Sequence, residues 1–388
     1  MDLKNIKELT LKDKLIAYNF AIIGAVALLI VRVALFDYDW GDYSYFYQHW
    51  VAEFRTMSFI EGLRAEVGNY NPPHMYIFNI IARINVYDLY LIKIVSVFFD
   101  FLIAFFVMKI VSLKTESLNM HILAFLLTLA IPTVVLNSSM WAQCDAVYVA
   151  FAIGAFYFAL SGRSRLAYAF IAIAFAFKMQ SVFIMPVFPI LVLMKKIRLR
   201  DCYIFPAVYL AMLLPAVLAG KSIGDIFLTY IKQVDTFSSL NMNLVNVWQL
   251  VGHVDYESFR TAGLFIAGLA VLGLMYFTYV HRERLTSNTD YVRLAFLFTL
   301  MMPFLLPKMH DRYYMLADVM SVVVFLFDKR RWYVPVITIF CSYIAYAWFL
   351  MSAVVLFDYK IAALALLVVL LVVLRDYVLS LRGDLRDR

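Results

Sequence analysis

Residues 35–76 read LFDYDWGDYSYFYQHWVAEFRTMSFIEGLRAEVGNYNPPHMY and form the first long polar stretch in an otherwise apolar chain. They follow an apolar run at about 15–35 and begin with three closely spaced carboxylates, Asp37, Asp39 and Asp42. Of the 388 residues, 64% are hydrophobic and only 16% are charged, which is more apolar surface than a water-soluble domain hides. We therefore predict an all-α protein that crosses a membrane many times, with this stretch as its first large loop.

Apolar runs of roughly 20 residues predict membrane-spanning helices, since a helix needs that length to cross the hydrocarbon layer. Their continuity favours helices over a β-barrel, whose strands alternate polar and apolar residues. We predict about twelve spans, at 15–35, 88–112, 121–138, 145–161, 166–178, 182–194, 203–219, 261–280, 291–306, 314–327, 333–355 and 360–375. Two short helices in the first loop, at 44–54 and 75–84, are expected to lie along the membrane surface.

Clusters of lysine and arginine stand at the N-terminus and after every second predicted span. By the positive-inside rule, both termini and these clusters are cytoplasmic, and the other span ends face outward. We predict one integral membrane domain over 1–388, with a module at 35–320 and a C-terminal pair of spans plus tail at 333–388. The outer side then carries four polar patches: DYDWGD at 37–42, WAQCD at 141–145, FKMQ at 177–180 and KMHDR at 308–312.

Asp42 is the best candidate for a catalytic base in the first loop, and Asp39 is the second. Sugar transfer with inversion needs one carboxylate that takes the proton of the acceptor hydroxyl, and cationic groups at the departing phosphate. The alternative is that Asp42 caps the helix at 44–54, since aspartate is favoured at that position. By residue type the two roles are equally plausible, and the three other outer patches favour the base.

The other patches supply candidates for binding a donor phosphate and a sugar. Arg312 can form a forked contact with phosphate, His310 can donate a proton, and Lys178 is a costly charge in an apolar helix end. The alternative for the KMHDR patch is an anchor whose charges reach the headgroups. Trp141 is predicted to stack on a sugar ring, and the alternative for its patch is a polar turn. The remaining candidates for substrate binding are Gln143, Asp145, Gln180, Tyr70 and Tyr313.

Asp100 lies near the middle of the span at 88–112, where a carboxylate is a functional candidate by default. Lys93 lies seven residues earlier on the same face, so a buried structural pair is one alternative. A protonated carboxyl group and a proton relay in a transporter are two others. The sequence leaves the role of Asp100 open.

Cofactor motifs and nucleic-acid patterns are not found. The three cysteines, Cys144, Cys202 and Cys341, are scattered and form neither a zinc motif nor a disulfide framework. No glycine-rich phosphate loop is present, and no basic segment is interleaved with stacking aromatics, which disfavours ATP-driven pumps and nucleic-acid binding. We predict no cofactor and no nucleic acid as partner, and a divalent metal stays an open alternative.

Six segments, in order along the chain, resemble the GT-C superfamily of polytopic glycosyltransferases. They are GDYSYFYQHW, NYNPPHMY, KIVSVFFDF, NSSMWAQCDAVY, AFKMQSVFIMP and LPKMHDRYYMLAD, and they cover roughly residues 35–320. They look most similar to a bacterial group related to the second mannosyltransferase of GPI-anchor synthesis. The WGQxD motif of that group appears here as WAQCD, and its HERY-like motif appears as HDRY.

The resemblance implies an inverting enzyme of the plasma membrane that uses a polyprenyl-phosphate hexose, such as mannose, on the outer face. It places the catalytic aspartate of the first loop at Asp42 and the acceptor in a cell-surface glycan or a lipid-linked sugar. Two alternatives remain, a flippase for lipid-linked sugars and a surface-polysaccharide polymerase. A transporter should show inverted repeats, and we find none.

Overall fold

The computed structural model describes residues 6–235, 239–252, 255–351 and 354–383, and its fold is nearly all-α. The α-helices of the N-terminal half are α1 (Leu11–Val33), α2 (Gln48–Arg55), α3 (Phe59–Arg64), α4 (Pro72–Ile81), α5 (Asp88–Ser112), α6 (Leu118–Leu129), α7 (Pro132–Val135), α8 (Asp145–Leu160), α9 (Ser164–Phe177) and α10 (Val187–Leu193). Those of the C-terminal half are α11 (Ile204–Leu218), α12 (Ile223–Asp235), α13 (Trp248–Val251), α14 (Tyr256–Val280), α15 (Asn288–Leu305), α16 (Met315–Phe327), α17 (Tyr333–Leu350) and α18 (Tyr359–Arg382).

Several shorter elements connect these helices. Two π-helices lie at Tyr43–Tyr47 and Leu136–Met140, and 3₁₀ turns lie at Met179–Phe183, Leu199–Asp201, Arg282–Arg284 and Lys329–Arg331. Two short parallel strands, β1 (Asn241–Met242) and β2 (Met309–His310), pair Asn241 with Met309 and Met242 with His310. This pairing fixes the second large loop, which contains β1, against the chain that enters α16.

Six helices among the described residues are long and apolar enough to cross a membrane, which indicates a multi-pass membrane protein. They lie at Leu11–Val33, Asp88–Ser112, Leu199–Leu218, Tyr256–Val280, Lys329–Leu350 and Tyr359–Arg382. A seventh span results if the helices at Leu118–Leu129 and Pro132–Met140, which are bent by 52°, are counted together. The predicted number of about twelve spans is therefore not confirmed.

The helix predicted at 182–194 is wrong in detail. The chain there forms the 3₁₀ turn Met179–Phe183 and the short helix α10, because Pro186 lacks the backbone N–H that a continuous helix needs, whereas Pro189 lies in the first turn of α10, where a proline is tolerated. The span predicted at 121–138 is likewise broken ahead of Pro132. The short helices predicted in the first loop are present as the π-helix with α2, and as α4.

The core is built around α8, in which all residues except Phe151 are buried. Small side chains let neighbouring helices approach closely, as is common where helices pack in membranes. Gly154 shows this directly, because a Cβ atom there would lie 2.8 Å from the rings of Phe106 and Phe170. The N-terminus of α8 is held rigidly by this packing, and it carries Asp145.

Asp100 pairs with Arg32 of α1 rather than with Lys93. The Nε atom of Arg32 donates to Oδ2 of Asp100 at 3.0 Å, and both side chains are fully buried. The ammonium group of Lys93 instead donates to three backbone carbonyls, those of Leu35, Phe36 and Tyr38. The geometry therefore fits the structural alternative for Asp100, with a different partner from the one the sequence suggested.

Candidate active site

The polar patches meet where four turns come together. Asp42 lies ahead of the first π-helix, Gln143 lies between the second π-helix and α8, Asp145 is the first residue of α8, Lys178 follows α9, and Arg312 lies between β2 and α16. Contacts among these five side chains form a continuous cluster. The cluster is named here the charged site.

Both π-helices border the charged site. A π-helix closes hydrogen bonds between residues five apart, and such turns are rare and frequent at functional sites. The first follows Gly41, whose φ of +86° belongs to the left-handed region, and it begins directly after Asp42. The second leads into Ala142, which has a φ of +60° and is fully buried.

Asp42 does not act as a helix cap. It occupies the residue before the first π-helix, but its side chain makes no capping hydrogen bond. Its Oδ2 atom instead accepts a hydrogen bond from Nε2 of Gln143 and lies 3.5 Å from Nη2 of Arg312. The side chain is 14% exposed, so it is sheltered but reachable. The alternative role as a cap is therefore wrong.

Asp145 is the most enclosed carboxylate of the charged site. Its side chain is 1% exposed and forms a salt bridge with Lys178 through Oδ1. Its Oδ2 atom accepts a hydrogen bond from Asn137 at 3.0 Å and lies 3.6 Å from Nε of Arg312. Lys178 also lies over the rings of Tyr70 and Tyr313. The charge of Lys178 is thus committed to Asp145, which weakens the prediction that Lys178 binds a phosphate.

Arg312 lies near three carboxylates but forms no close bidentate pair with any of them. Its nitrogens lie 3.5, 3.6 and 3.7 Å from the carboxylates of Asp42, Asp145 and Asp311. These separations are longer than a normal charged hydrogen bond, and the buried Nε atom has no hydrogen-bond partner among the described residues. The guanidinium group therefore keeps donors for a further anion.

Trp141 supports Arg312 and does not offer its ring to a sugar. The side chain is fully buried, and its ring stacks on Phe349 with a centroid distance of 4.4 Å. The guanidinium carbon of Arg312 lies 5.3 Å from the centre of the Trp141 ring, within the range of a cation–π contact. The predicted stacking on a sugar ring is incompatible with this burial.

The titration of the two residues before Arg312 is shifted by burial. Burial raises the pKa of Asp311 to about 7, although the positive charge of Arg312 opposes this shift. Burial and the nearby charges of Arg312 and Lys178 lower the pKa of His310 to about 3. His310 is therefore a neutral imidazole at neutral pH, and it can contact a phosphate as a hydrogen-bond donor but not as a cation.

Three predicted residues lie apart from the charged site or at its border. Asp39 is exposed and makes no ion pair with Lys178 or Arg312 in the part of the chain that is described. Gln180 lines an adjoining apolar cavity of about 370 Å³, as does Tyr313. The walls of this cavity include Phe175, Phe183, Leu264 and Leu306, and its polar edge includes Arg260 and Lys308.

Several buried polar atoms of the charged site and its neighbours have no hydrogen-bond partner within the described part of the chain. Among the described residues, these buried atoms include Nε of Arg312, Nε1 of Trp141, Oδ1 of Asp311, Oδ1 of Asn137 and the hydroxyl group of Tyr148. Buried polar groups are normally paired, so these atoms can contact a polar ligand or ordered water. No group of three or more histidine, cysteine, aspartate or glutamate residues in the described ranges has the arrangement of a metal site.

Asn137, Tyr47 and Tyr346 complete the site but were not among the predicted residues. Asn137 holds Asp145 and also donates to the hydroxyl of Tyr346 at 3.0 Å. Tyr47 donates to Oε1 of Gln143 at 3.1 Å. The polar NSS sequence before Trp141 and the tyrosine-rich stretch after Asp42 were signals for the first two. Tyr346 lies in an apolar helix about two hundred residues away, and no local pattern marks it.

No family model matches the chain, and no curated protein is significantly similar to it.

Proposed function

We propose that this protein is an inverting glycosyltransferase that moves a hexose from a polyprenyl-phosphate donor to a hydroxyl of a cell-surface glycan or lipid-linked acceptor. The observation that carries the proposal is the state of Asp42. Its carboxylate caps no helix, is sheltered but reachable, and lies beside an arginine that retains free donor capacity. These are the two groups that such a transfer requires.

Asp42 and Arg312 would have different roles in the reaction. Both contacts of the Asp42 carboxylate involve Oδ2, which leaves Oδ1 for the acceptor hydroxyl. As the acceptor oxygen bonds to the anomeric carbon, its proton passes to Asp42 and the bond from that carbon to the phosphate oxygen breaks. The electron pair stays on the phosphate, and Arg312 stabilises the added negative charge.

The adjoining apolar cavity supports a lipid-linked donor. It lies next to Tyr313, which neighbours Arg312, and its walls are mainly hydrophobic. Arg260 and Lys308 also line it and carry positive charge, although Arg260 is paired with Glu257 at 3.3 Å. A ligand with an apolar chain and a phosphate matches this combination of an apolar cavity and a cationic border.

The same proposal includes the orientation of the protein in the plasma membrane. The charged site would face outward and both termini would face the cytoplasm, because basic clusters alternate along the chain. The number of crossings would be ten if the bent pair is one span and the shorter apolar helices α8, α9 and α16 also cross. A proton-driven transporter is not favoured, since Asp100 is engaged by Arg32 and by Ser138.

A turnover assay tests the activity. Purified protein would be incubated with a panel of polyprenyl-phosphate hexoses and glycan or lipid-linked acceptors, and products would be identified by mass spectrometry. We expect one donor to give a transferred sugar with inverted configuration. Movement of the lipid-linked sugar across proteoliposomes without any transfer would establish a flippase instead. The orientation is checked in intact cells with an impermeant maleimide. We expect the new cysteine of Asp39→Cys to be labelled and the exposed native Cys202 to stay unlabelled, because its loop would be cytoplasmic.

A further inference from the structure

A chain of hydrogen bonds reaches Asp42 from the interior of the first loop. The hydroxyl groups of Tyr70 and Tyr47 lie 3.4 Å apart, and Tyr47 donates to Oε1 of Gln143 at 3.1 Å. The Nε2 atom of Gln143 then donates to Oδ2 of Asp42. Tyr47 is 1% exposed and Gln143 is fully buried, so water does not compete for these bonds.

The carboxylate of Asp42 fixes which group donates in each hydrogen bond of this chain. An ionised carboxylate only accepts hydrogen bonds, so Gln143 must turn its NH₂ group toward Asp42 and its oxygen toward Tyr47. The single hydroxyl proton of Tyr47 then goes to Gln143, and the oxygen of Tyr47 is left to accept from Tyr70. Rotating the amide by half a turn would place two acceptors, the amide oxygen and the carboxylate, against each other.

The first π-helix brings two members of this hydrogen-bonded chain, Asp42 and Tyr47, close together. Asp42 precedes this helix and Tyr47 is its last residue, a separation of five. The i to i+5 closure of a π-helix therefore stacks the two residues on consecutive turns of one face. An α-helical turn would rotate Tyr47 away from that face, because its repeat is 3.6 residues.

We propose that Tyr47 is a positioning residue, which fixes the orientation of the Gln143 amide and thereby holds the Asp42 carboxylate in place for the acceptor. Tyr47 does not reach substrate itself, since it is buried and contacts Asp42 only through Gln143. The inference rests on the proposed function for its catalytic part. Its structural part, the fixed amide, can be measured without any activity.

The kinetic test compares Tyr47→Phe with Tyr377→Phe, a control in which another fully buried tyrosine loses a hydroxyl bonded to Thr278 at 2.9 Å. Tyr47→Phe leaves the amide oxygen of Gln143 without its partner, and we expect kcat to fall by about five- to hundredfold. The KM for the donor should stay unchanged because Arg312 is untouched. In a Gln143→Ala background, Tyr47→Phe should have no further effect, and an additive effect would overturn the proposal.

The second test needs no substrate. With ¹⁵N-labelled glutamine, the side-chain NH₂ signal of Gln143 is assigned by its loss in Gln143→Ala, and its hydrogen exchange is measured. We expect exchange to accelerate in Tyr47→Phe and to stay slow in Tyr377→Phe. Unchanged exchange in Tyr47→Phe would overturn the proposal. If exchange accelerates but the wild-type protein transfers no sugar, the fixed amide stands and the proposed function fails.

Discussion

The helical hairpin α15–α16 has a charged cluster at each end, and the two clusters differ in how completely their charges are paired. At the end where α15 begins and α16 finishes, Arg331 forms two short bonds with Asp376, at 2.5 and 2.7 Å. Arg293 and Arg330 each lie 3.2 Å from Asp328. At the other end, every contact of Arg312 with a carboxylate is 3.5 Å or longer.

How completely the charges are paired distinguishes a structural network from a candidate site better than the presence of charged residues does. Both clusters combine arginines with aspartates, and both lie beside a cavity; the one near Arg331 measures about 250 Å³. Near Arg331, each of the three arginines has a carboxylate contact of 3.2 Å or shorter, and these pairs tie α15, α16 and α18 together. The charged site leaves donors unused, and an unused buried donor is costly unless a ligand or water contacts it.

The largest expected effect that tests this comparison is that of Asp42→Asn. Asparagine keeps the size of the side chain but cannot take up the proton of the acceptor hydroxyl. Loss of a general base typically costs about 10²–10⁴-fold in rate. Steady-state kinetics on protein with an unchanged melting temperature would measure this loss. The matched change Asp39→Asn, at an exposed carboxylate outside the charged site, should be mild. If Asp39→Asn were inactive and Asp42→Asn active, Asp39 would be the base.

An intermediate effect is expected when arginine is replaced by lysine in each cluster. Lysine keeps the charge but loses the fork. Arg312→Lys should lower kcat/KM for the donor by roughly ten- to hundredfold, as for a lost charged hydrogen bond, with little change in stability. Arg331→Lys should lower the free energy of unfolding by about 1–2 kcal/mol and leave kcat/KM unchanged. Thermal unfolding and donor kinetics on both variants measure these two effects. If Arg312→Lys lowered stability and Arg331→Lys lowered kcat/KM, the roles of the two clusters would be reversed.

The remaining test concerns the pH dependence of stability at Asp311. Because burial raises its pKa from 3.8 in the unfolded chain to about 7, the folded protein binds a proton more tightly there. This contribution is fully present below about pH 4 and is lost as the pH rises through 7. Asp311→Asn should therefore flatten the decline of the melting temperature between pH 4 and 8. An identical decline in both proteins would show that Asp311 titrates normally.

The sequence predicted that the polar patches meet, but it did not predict the role of each residue in them. Alternation of basic clusters was enough to place Asp42, Asp145 and Arg312 on one side. It could not show that Trp141 is covered, because the ring that covers it, Phe349, comes from α17 at the far end of the chain. Such pairings depend on tertiary packing, and no local periodicity reveals them.

The fold was predictable as helical and membrane-spanning because long apolar runs leave no other solution. The number of spans was not, since Pro186 divides an apolar run that otherwise has the composition of a helix. Residue types alone gave Asp100 a charged neighbour on its own helix, Lys93. The observed partner, Arg32, lies on α1, and an ion pair between helices leaves no trace in the spacing of either one.

The pair of Arg32 and Asp100 also constrains the order of assembly in the membrane. Arg32 is the buried residue of α1, whose other side chains remain at least partly exposed. Because α1 precedes α5 in the chain, Arg32 enters the membrane before its counter-ion has been synthesised, and its position near the end of α1 lets it reach the headgroups meanwhile. Asp100 then adds an ion pair between helices to the packing of α1 on α6 and to the bond from Arg32 to the Leu129 carbonyl. We expect Asp100→Leu to leave α1 inserted but attached less tightly to the other helices.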